Sequence, residues 1–531
     1  MCGLLGYQGN VNELPDFKNV FDEIKHRGPD DTEIVVSKNG DASLCFHRLA
    51  IMDPTAKGHQ PFQDDRNGNI IICNGEIYNF VELRKQYEAT YKFKSHSDCE
   101  VLVPMLTDMS LDRLCQSLDA EFAFVMWDEK NKKLLAARDP IGIRPLFYGK
   151  TKKGKYIFAS EVKTILPYCE KVENFPPGHY FDGKKIKSYI DLTTVKKYHE
   201  DDEKQILKNI REKLIEGVRK RLVADVPVGF LLSGGLDSSL VCAIASKILK
   251  KPLQTFAVGL DHAPIDLRYA KIVADFIKSK HHEVIFDKKE TLGVLNEVIH
   301  HLETWDITTI RASIGMYIVC RYVHKNTVIK VLLTGEISDE LFGYKYTDFA
   351  PSPEEFQLES KKRIDELYMY DVLRADRSIS AHALEARVPF GDLDFVKYVM
   401  GIDPKYKMNT TGMGKNLLRQ AFAGLDYLPE EILWREKAAF SDAVGHSMVD
   451  YLKEYAAQVI SDKEFAEAKK KYPQKTPFTK ESYLYRKIFE SHFPGQVHLI
   501  KDFWMPNQTW PNCKVQDPSA RVLSNYGKSG L

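Results

Sequence analysis

The stretch Ser233-Gly234-Gly235-Leu236-Asp237-Ser238-Ser239 decides the reading of this chain. It follows a short apolar run, Val226 to Leu232. It precedes a segment whose Leu240, Val241, Ile244, Ala245 and Ile248 recur at helical spacing. A glycine-rich turn between a buried strand and a helix N-terminus is a phosphate cradle. The glycines let backbone N–H groups approach, the serine hydroxyls add donors, and the helix end supplies partial positive charge. The Gly-Lys-Ser/Thr of a Walker loop is absent.

Outward from this loop, strands and helices alternate. Leu207, Ile210, Leu214, Val218 and Leu222 mark a helix upstream. Downstream come a strand near Thr255 to Val258, a helix near Leu267 to Ile277, and strands at Glu283 to Phe286 and Val328 to Leu333. Repeated strand–helix units imply an α/β doubly wound parallel sheet, followed from Pro351 by a helical C-terminal part. The last twenty residues read as a loose tail.

Residues 1–192 read differently, as short β-rich runs punctuated by Gly and Pro, which implies a layered α+β unit. Ile70-Ile71-Ile72-Cys73 runs into Asn74-Gly75, and a helix capped by Asn79 follows, with Phe80, Leu83 and Tyr87 on one face. The charged stretch Thr193 to Lys204 has no apolar period and reads as a linker, so the second domain spans 205–531.

Composition narrows the function. A net charge of +1 with no long block of one sign gives no nucleic-acid footprint, and small molecules are the expected partners. The nine cysteines include no Cys-x-x-Cys pair, so neither a disulfide framework nor a zinc ribbon is expected, and a reducing, cytoplasmic setting fits. No apolar run approaches the roughly 20 residues that span a bilayer, so no membrane association is expected.

Cys2 follows Met1 directly. Removal of the initiator would leave one residue with both a thiol nucleophile and an α-amine of pKa roughly 7.7 to 8.0, able to take the thiol proton. Cys2-Gly3-Leu4-Leu5-Gly6, His26-Arg27-Gly28-Pro29-Asp30, Arg48-Leu49-Ala50-Ile51, Asn74-Gly75-Glu76 and Ser97-Asp98 occur in the order seen in class II glutamine amidotransferases. The segment closely resembles that family's N-terminal-nucleophile domain, of layered αββα architecture. The resemblance implies that Cys2 is the nucleophile and that Asn74 and the Gly75 amide form the oxyanion hole. It also implies that Arg48 holds the α-carboxylate of glutamine and Asp98 its α-ammonium, with Leu49, Ala50, Ile51, Met52 and Glu76 completing the glutamine site.

The Ser233 loop is similar to the pyrophosphate loop of N-type ATP pyrophosphatases, which transfer AMP to an acceptor. Preceded by a glutaminase and followed by Asp306 to Ser313, Thr334-Gly335-Glu336, Arg387-Val388-Pro389-Phe390 and Arg435-Glu436-Lys437, it resembles the asparagine synthetase family along nearly the full chain. The resemblance implies ATP contacts from Leu232, Ser233, Gly234, Gly235, Asp237, Ser238, Val258, Thr334 and Gly335. Glu336 and Lys437 would be catalytic, Thr308 and Arg311 would hold aspartate, and Asp237 and Asp339 would bind Mg²⁺. ATP is then a substrate beside glutamine and aspartate, and a homodimer is the family expectation.

Where the family usually reads Gly-Glu-Gly-Ser-Asp-Glu, this chain has Ile337 in place of the second glycine, and the following loop is one residue short. A rebuilt loop predicts Ile337 in ordinary backbone geometry, its side chain in a small apolar pocket. Two further readings share the motifs: a ligase that amidates another carboxylate, and a degenerate paralogue with a non-catalytic role.

Overall fold

Ile70, Ile71, Ile72 and Cys73 are all buried, which a strand of alternating side chains permits only when both its faces are covered. A computed structural model of the chain describes residues 1–262, 265–436 and 446–526, and shows what covers them. Lys437 lies outside the described residues.

Two compact units form. The first comprises Met1–Leu192 with Val223–Pro227 and Ile379–Glu385; the second comprises Thr193–Leu222, Val228–Ser378 and Ala386–Leu531.

In the first unit, β1 (Gly3–Tyr7), β2 (Asp31–Val36), β3 (Ser43–Arg48), β8 (Phe147–Thr151), β9 (Tyr156–Ala159) and β10 (Cys169–Asn174) make one sheet, ordered β10-β8-β9-β1-β3-β2. The second sheet joins β4 (Phe62–Gln63), β5 (Ile70–Ile77), β6 (Ala120–Asp128), β7 (Lys133–Arg138), β11 (His179–Phe181) and β12 (Ile186–Ser188), ordered β12-β11-β7-β6-β5-β4. Leu4, Leu44 and Phe46 of one sheet pack against Ile70, Ile72, Val125 and Trp127 of the other. The alternate residues Ile71, Cys73, Phe122 and Phe124 turn to Leu83, Leu102, Met105 and Leu114, which lie on or beside the helices that cover the outer face. Successive residues of β5 therefore serve two different cores. Asn79 precedes the helix Phe80–Tyr87 but does not cap it, contrary to the sequence expectation. Its amide is taken up by Asp119 N and Ser117 O, which ties the helix start to the approach of β6.

In the second unit, β13 (Val228–Leu231), β14 (Gln254–Leu260), β15 (Lys280–Phe286) and β16 (Val331–Leu333) are mutually parallel, with β17 (Glu385–Arg387) at one edge, in the order β15-β14-β13-β16-β17. The helix Leu236–Leu249 leaves β13 at Gly235, and its Leu240 to Ala245 are buried all round. The upstream helix Glu203–Arg221 buries Ile206, Ile210, Leu214 and Val218, whereas Leu207 and Leu222 are only half-buried. Val328 is exposed, and the strand expected to begin there begins at Val331.

The C-terminal segment is not a loose tail as far as Tyr526. Trp510, Cys513, Ala520 and Leu523 pack with Tyr346 and Phe356, apolar contacts that outweigh the irregular backbone which made the segment look mobile. No helix among the described residues is long and apolar enough to cross a membrane.

Candidate active sites

At the first site, β1 and β5 deliver Cys2 and Asn74 to each other. Asn74 shares the parity of Ile70 and Ile72 and so faces the other sheet, where its Oδ1 accepts the Cys2 N–H at 2.9 Å. That nitrogen is a peptide nitrogen while Met1 is present, and would stand in for an α-amine if Met1 were removed. Asn74 is fully buried, yet its Nδ2 has no hydrogen-bond partner among the described residues. Buried donors are seldom left unmade, and this one belongs to the same amide that holds the Cys2 N–H. Gly75 follows because nothing larger fits: a Cβ there would lie 2.4 Å from Glu121 O on β6.

The thiol is partly exposed and receives the Leu49 N–H at 3.4 Å. Burial raises the Cys2 pKa, and the nearby amino terminus partly offsets this. The Met1 amine, itself buried near Glu385, is lowered to about 6 by desolvation. The Met1 side chain is wholly enclosed, with its sulfur beside the guanidinium of Arg144.

Arg48 is buried and its guanidinium donates to the carbonyls of Thr55, Met52 and Asp53 at 2.9, 3.2 and 2.5 Å. It thereby curls the loop after β3, which carries Leu49, Ala50, Ile51 and Met52. Asp30 Oδ2 holds the same loop by accepting Ala50 N–H. Asp98 accepts Ile77 N–H at 2.8 Å, and burial raises its carboxyl above the usual range, an environment in which a bound ammonium would be favoured. Glu76, on β5 opposite Glu121, is buried as well.

Arg27 is a positioning residue that the motif contained but residue-by-residue reading did not single out. Its Nε donates to Cys2 O at 3.0 Å, while Nη1 reaches Glu161 and Ser380.

At the second site, one cavity is lined by Leu232, Ser233, Gly235, Asp237, Ser238, Val258, Thr308, Arg311, Thr334, Gly335, Glu336, Ile337 and Asp339. Gly234 has φ +73, and a Cβ on it would lie 2.4 Å from Ala270 N, so glycine is required twice over. Gly335 closes the other wall, where a Cβ would meet Ser238 N at 2.8 Å. Ser238 Oγ accepts the Ser233 N–H, and Gly235 N–H reaches Ser233 Oγ, so the loop braces itself. Thr334 Oγ1 is buried without a partner among the described residues.

Sequence reading gave no role to three cations here, although Arg435 lay in a quoted motif. Arg435 stacks 3.7 Å over Tyr269 and donates to Gly234 O and Asp266. Arg374 donates to Glu336 at 2.5 Å and to Asp371 at 3.0 Å. Lys415 lies against Asp237, Ser338 and Asp339. The available signal for Lys415 was its place after Gly412 and Gly414, a lysine on a glycine-marked loop. Two expected aspartate ligands have other company: Arg311 donates to Glu481 and Asp517, and Thr308 donates to Asp306. Glu340 is pushed well above the usual carboxylate range, by burial first and then by Asp371 and Asp339.

Ile337 overturns the expectation of ordinary backbone geometry. It has φ +80 and ψ −18, left-handed, immediately before the helix Ser338–Phe342, although its side chain is buried as expected. The shortened loop has kept the turn that glycine would make, and a β-branched residue bears it.

A glutamine amidotransferase domain family matches residues 1–218, and an asparagine synthase family matches 209–358 and 348–517. Asparagine synthetase [glutamine-hydrolyzing] of Cricetulus griseus is 41% identical over 565 residues, covering 99% of each chain. The same-named proteins of Mus musculus and Gallus gallus are 40% and 42% identical over the same shares. With both family matches covering the chain and relatives 40–42% identical over 99% of each chain, the chain belongs to the glutamine-hydrolysing asparagine synthetase family.

Proposed function

We propose that Cys2 attacks the side-chain amide of glutamine and that the ammonia released amidates aspartate activated by ATP in the second unit. The chain is an ATP-dependent ligase with glutamine as nitrogen donor. The observation that carries the residue-level reading is the buried Asn74 Nδ2, without a partner among the described residues, on the amide that holds the Cys2 N–H. When the α-amine takes the thiol proton and sulfur bonds to the amide carbon, charge develops on the carbonyl oxygen. Asn74 Nδ2 and the Gly75 N–H are the donors to receive it. The amine proton then goes to the departing nitrogen, ammonia leaves, and water hydrolyses the thioester to glutamate.

At the second site the β-carboxylate of aspartate attacks the α-phosphorus of ATP, forming β-aspartyl-AMP and releasing pyrophosphate. Ammonia displaces AMP to give asparagine. Ser233 to Ser238 hold the phosphates, Leu232, Val258, Thr334 and Gly335 line the nucleotide's place, and Arg374 holds Glu336 in the cavity. Thr308 and Arg311 are retained as aspartate-side residues because both line that cavity, although Arg311 must share its guanidinium with Glu481 and Asp517.

The residues fit a divalent cation. Asp237 and Asp339 converge on one ammonium, and Mg²⁺ is commonly held by one or two carboxylates together with substrate phosphates. Among the described residues no group of three His, Cys, Asp or Glu forms a cage that would hold the ion alone. Bound there, Mg²⁺ would supply positive charge to the phosphate oxygens.

The test is aspartate-dependent pyrophosphate release, with glutamine or ammonium as nitrogen source. Release with both, and asparagine as product, is expected. Pyrophosphate release that responds equally to a different carboxylate acceptor would overturn the assignment of aspartate.

A further inference from the structure

The two side chains that expectation assigns to a metal site, Asp237 and Asp339, together with Ser338, already surround a cation. Lys415 Nζ lies 2.8 Å from Asp237 Oδ1, 2.5 Å from Asp339 Oδ1 and 2.9 Å from Ser338 Oγ. Ser338 Oγ in turn donates to Asp237 Oδ1 at 2.7 Å. The lysine side chain is 1% exposed, unusual for a residue whose charge normally keeps it in water. An ammonium so enclosed is tolerable only because carboxylates pay for it.

The backbone shows that this placement is imposed. Lys415 has φ +57, left-handed, on the residue before the helix Asn416–Phe422, and such geometry on a non-glycine residue persists only where its surroundings enforce it. The approach is looser. At Gly412 and Gly414 an added Cβ would meet nothing within 4 Å, so the segment leading to Lys415 has open space beside it.

Charge completes the argument. Two carboxylates and one ammonium leave a net negative charge of one, whereas two carboxylates and a divalent cation are balanced. An ammonium and a bare divalent ion compete for the same oxygens. A divalent ion that brings a polyphosphate supplies a new anionic partner for the displaced lysine.

We propose that Lys415 is a built-in counter-cation that occupies the position between Asp237 and Asp339 in the nucleotide-free chain and yields it to the divalent ion arriving with ATP. The proposal rests on Asp237 and Asp339 being the metal-binding pair. Its consequence is coupling: free metal binds weakly alone, and metal and nucleotide enter together. Lys415 acts here as a positioning residue, keeping two like charges close enough to share an ion.

The test is Mn²⁺ binding to the full-length chain, followed by electron paramagnetic resonance, with and without ATP. Without nucleotide, Lys415→Met should bind Mn²⁺ at least tenfold more tightly than the unaltered chain, and Lys415→Arg should not. Adding Asp237→Asn to Lys415→Met should abolish the gain. Lys415→Gln, which keeps a hydrogen-bond donor for Ser338, should show the same sign and serves if the methionine variant does not fold. Equal Mn²⁺ affinity in Lys415→Met, Lys415→Gln and the unaltered chain overturns the proposal. If Asp237→Asn and Asp339→Asn still weaken Mn²⁺ binding in the presence of ATP, only the role of Lys415 has failed. If neither carboxylate variant weakens it, the metal pair itself is wrong and the proposal falls with it.

Discussion

The two ends of the Asn74 side-chain amide keep different company: Oδ1 takes the Cys2 N–H at 2.9 Å, and Nδ2 is left buried with no partner among the described residues. In the proposed mechanism this one residue orients the amine and offers a donor to the oxygen of the bound amide. Asn74→Asp would keep the acceptor and lose the donor. It should lower glutamine-dependent turnover by roughly 100-fold or more, while synthesis from ammonium continues. Steady-state rates with each nitrogen source decide the matter, and an equal loss with both would place Asn74 outside the glutaminase.

Cys2→Ala should remove glutamine-dependent synthesis and preserve ammonium-dependent synthesis, because the thiol acts only to make ammonia. Intact mass of the active protein should begin at Cys2. Active protein that fully retains Met1 would rule out the α-amine as base.

Ile337 sets two terms against each other. Its left-handed backbone costs about 1–3 kcal/mol, which glycine would relieve. Its buried side chain contributes about 1.5–3 kcal/mol, which both glycine and alanine would lose. Glycine adds about 0.4–1 kcal/mol of unfolded-state entropy. Ile337→Gly should therefore be destabilised by only about 1 kcal/mol, and less than Ile337→Ala, the reverse of the usual order. Thermal unfolding of the two variants supplies the comparison, and alanine proving the milder change would show that the strain is not there.

Lys407 is buried with its ammonium near Gln357 Oε1 and Val399 O, and desolvation lowers its pKa from 10.5 to about 7. A folded pKa below the unfolded one means that the unfolded chain binds more protons between pH 7 and 10.5. This residue's contribution to stability therefore rises with pH across that window, and its penalty is full below pH 7. Lys407→Met should stabilise the chain at pH 7 by an amount on the order of a few kcal/mol, and the difference from the unaltered chain should shrink toward pH 10.5. Denaturant unfolding at several pH values tests this, with a pH-independent difference as the adverse result.

The parallel sheet and the glycine turn after its strand β13 were legible because buried strands and an amphipathic helix leave periodic traces, and because Gly234 is needed for both backbone and space. The meeting of Cys2 with Asn74 was legible through a motif. What escaped was long-range pairing. Arg374 meets Glu336 across 38 positions, and Lys415 meets Asp237 across 178, and no local pattern announces either. Asn79 misled for the opposite reason: it is a good cap by type, but its amide was claimed by Asp119 and Ser117, forty and thirty-eight positions away. The tail misled because its apolar residues, Trp510, Cys513, Ala520 and Leu523, are too widely and irregularly spaced to show a period.

The full enclosure of Met1 bears on how this enzyme is handled at the bench. A purification tag fused ahead of Met1 would have to leave through a closed interior beside Arg144 and Glu385. It would also block the trimming that exposes the amine. Such a fusion should yield protein without glutaminase, or protein that does not assemble its first unit, and an affinity handle is better attached at the other end of the chain.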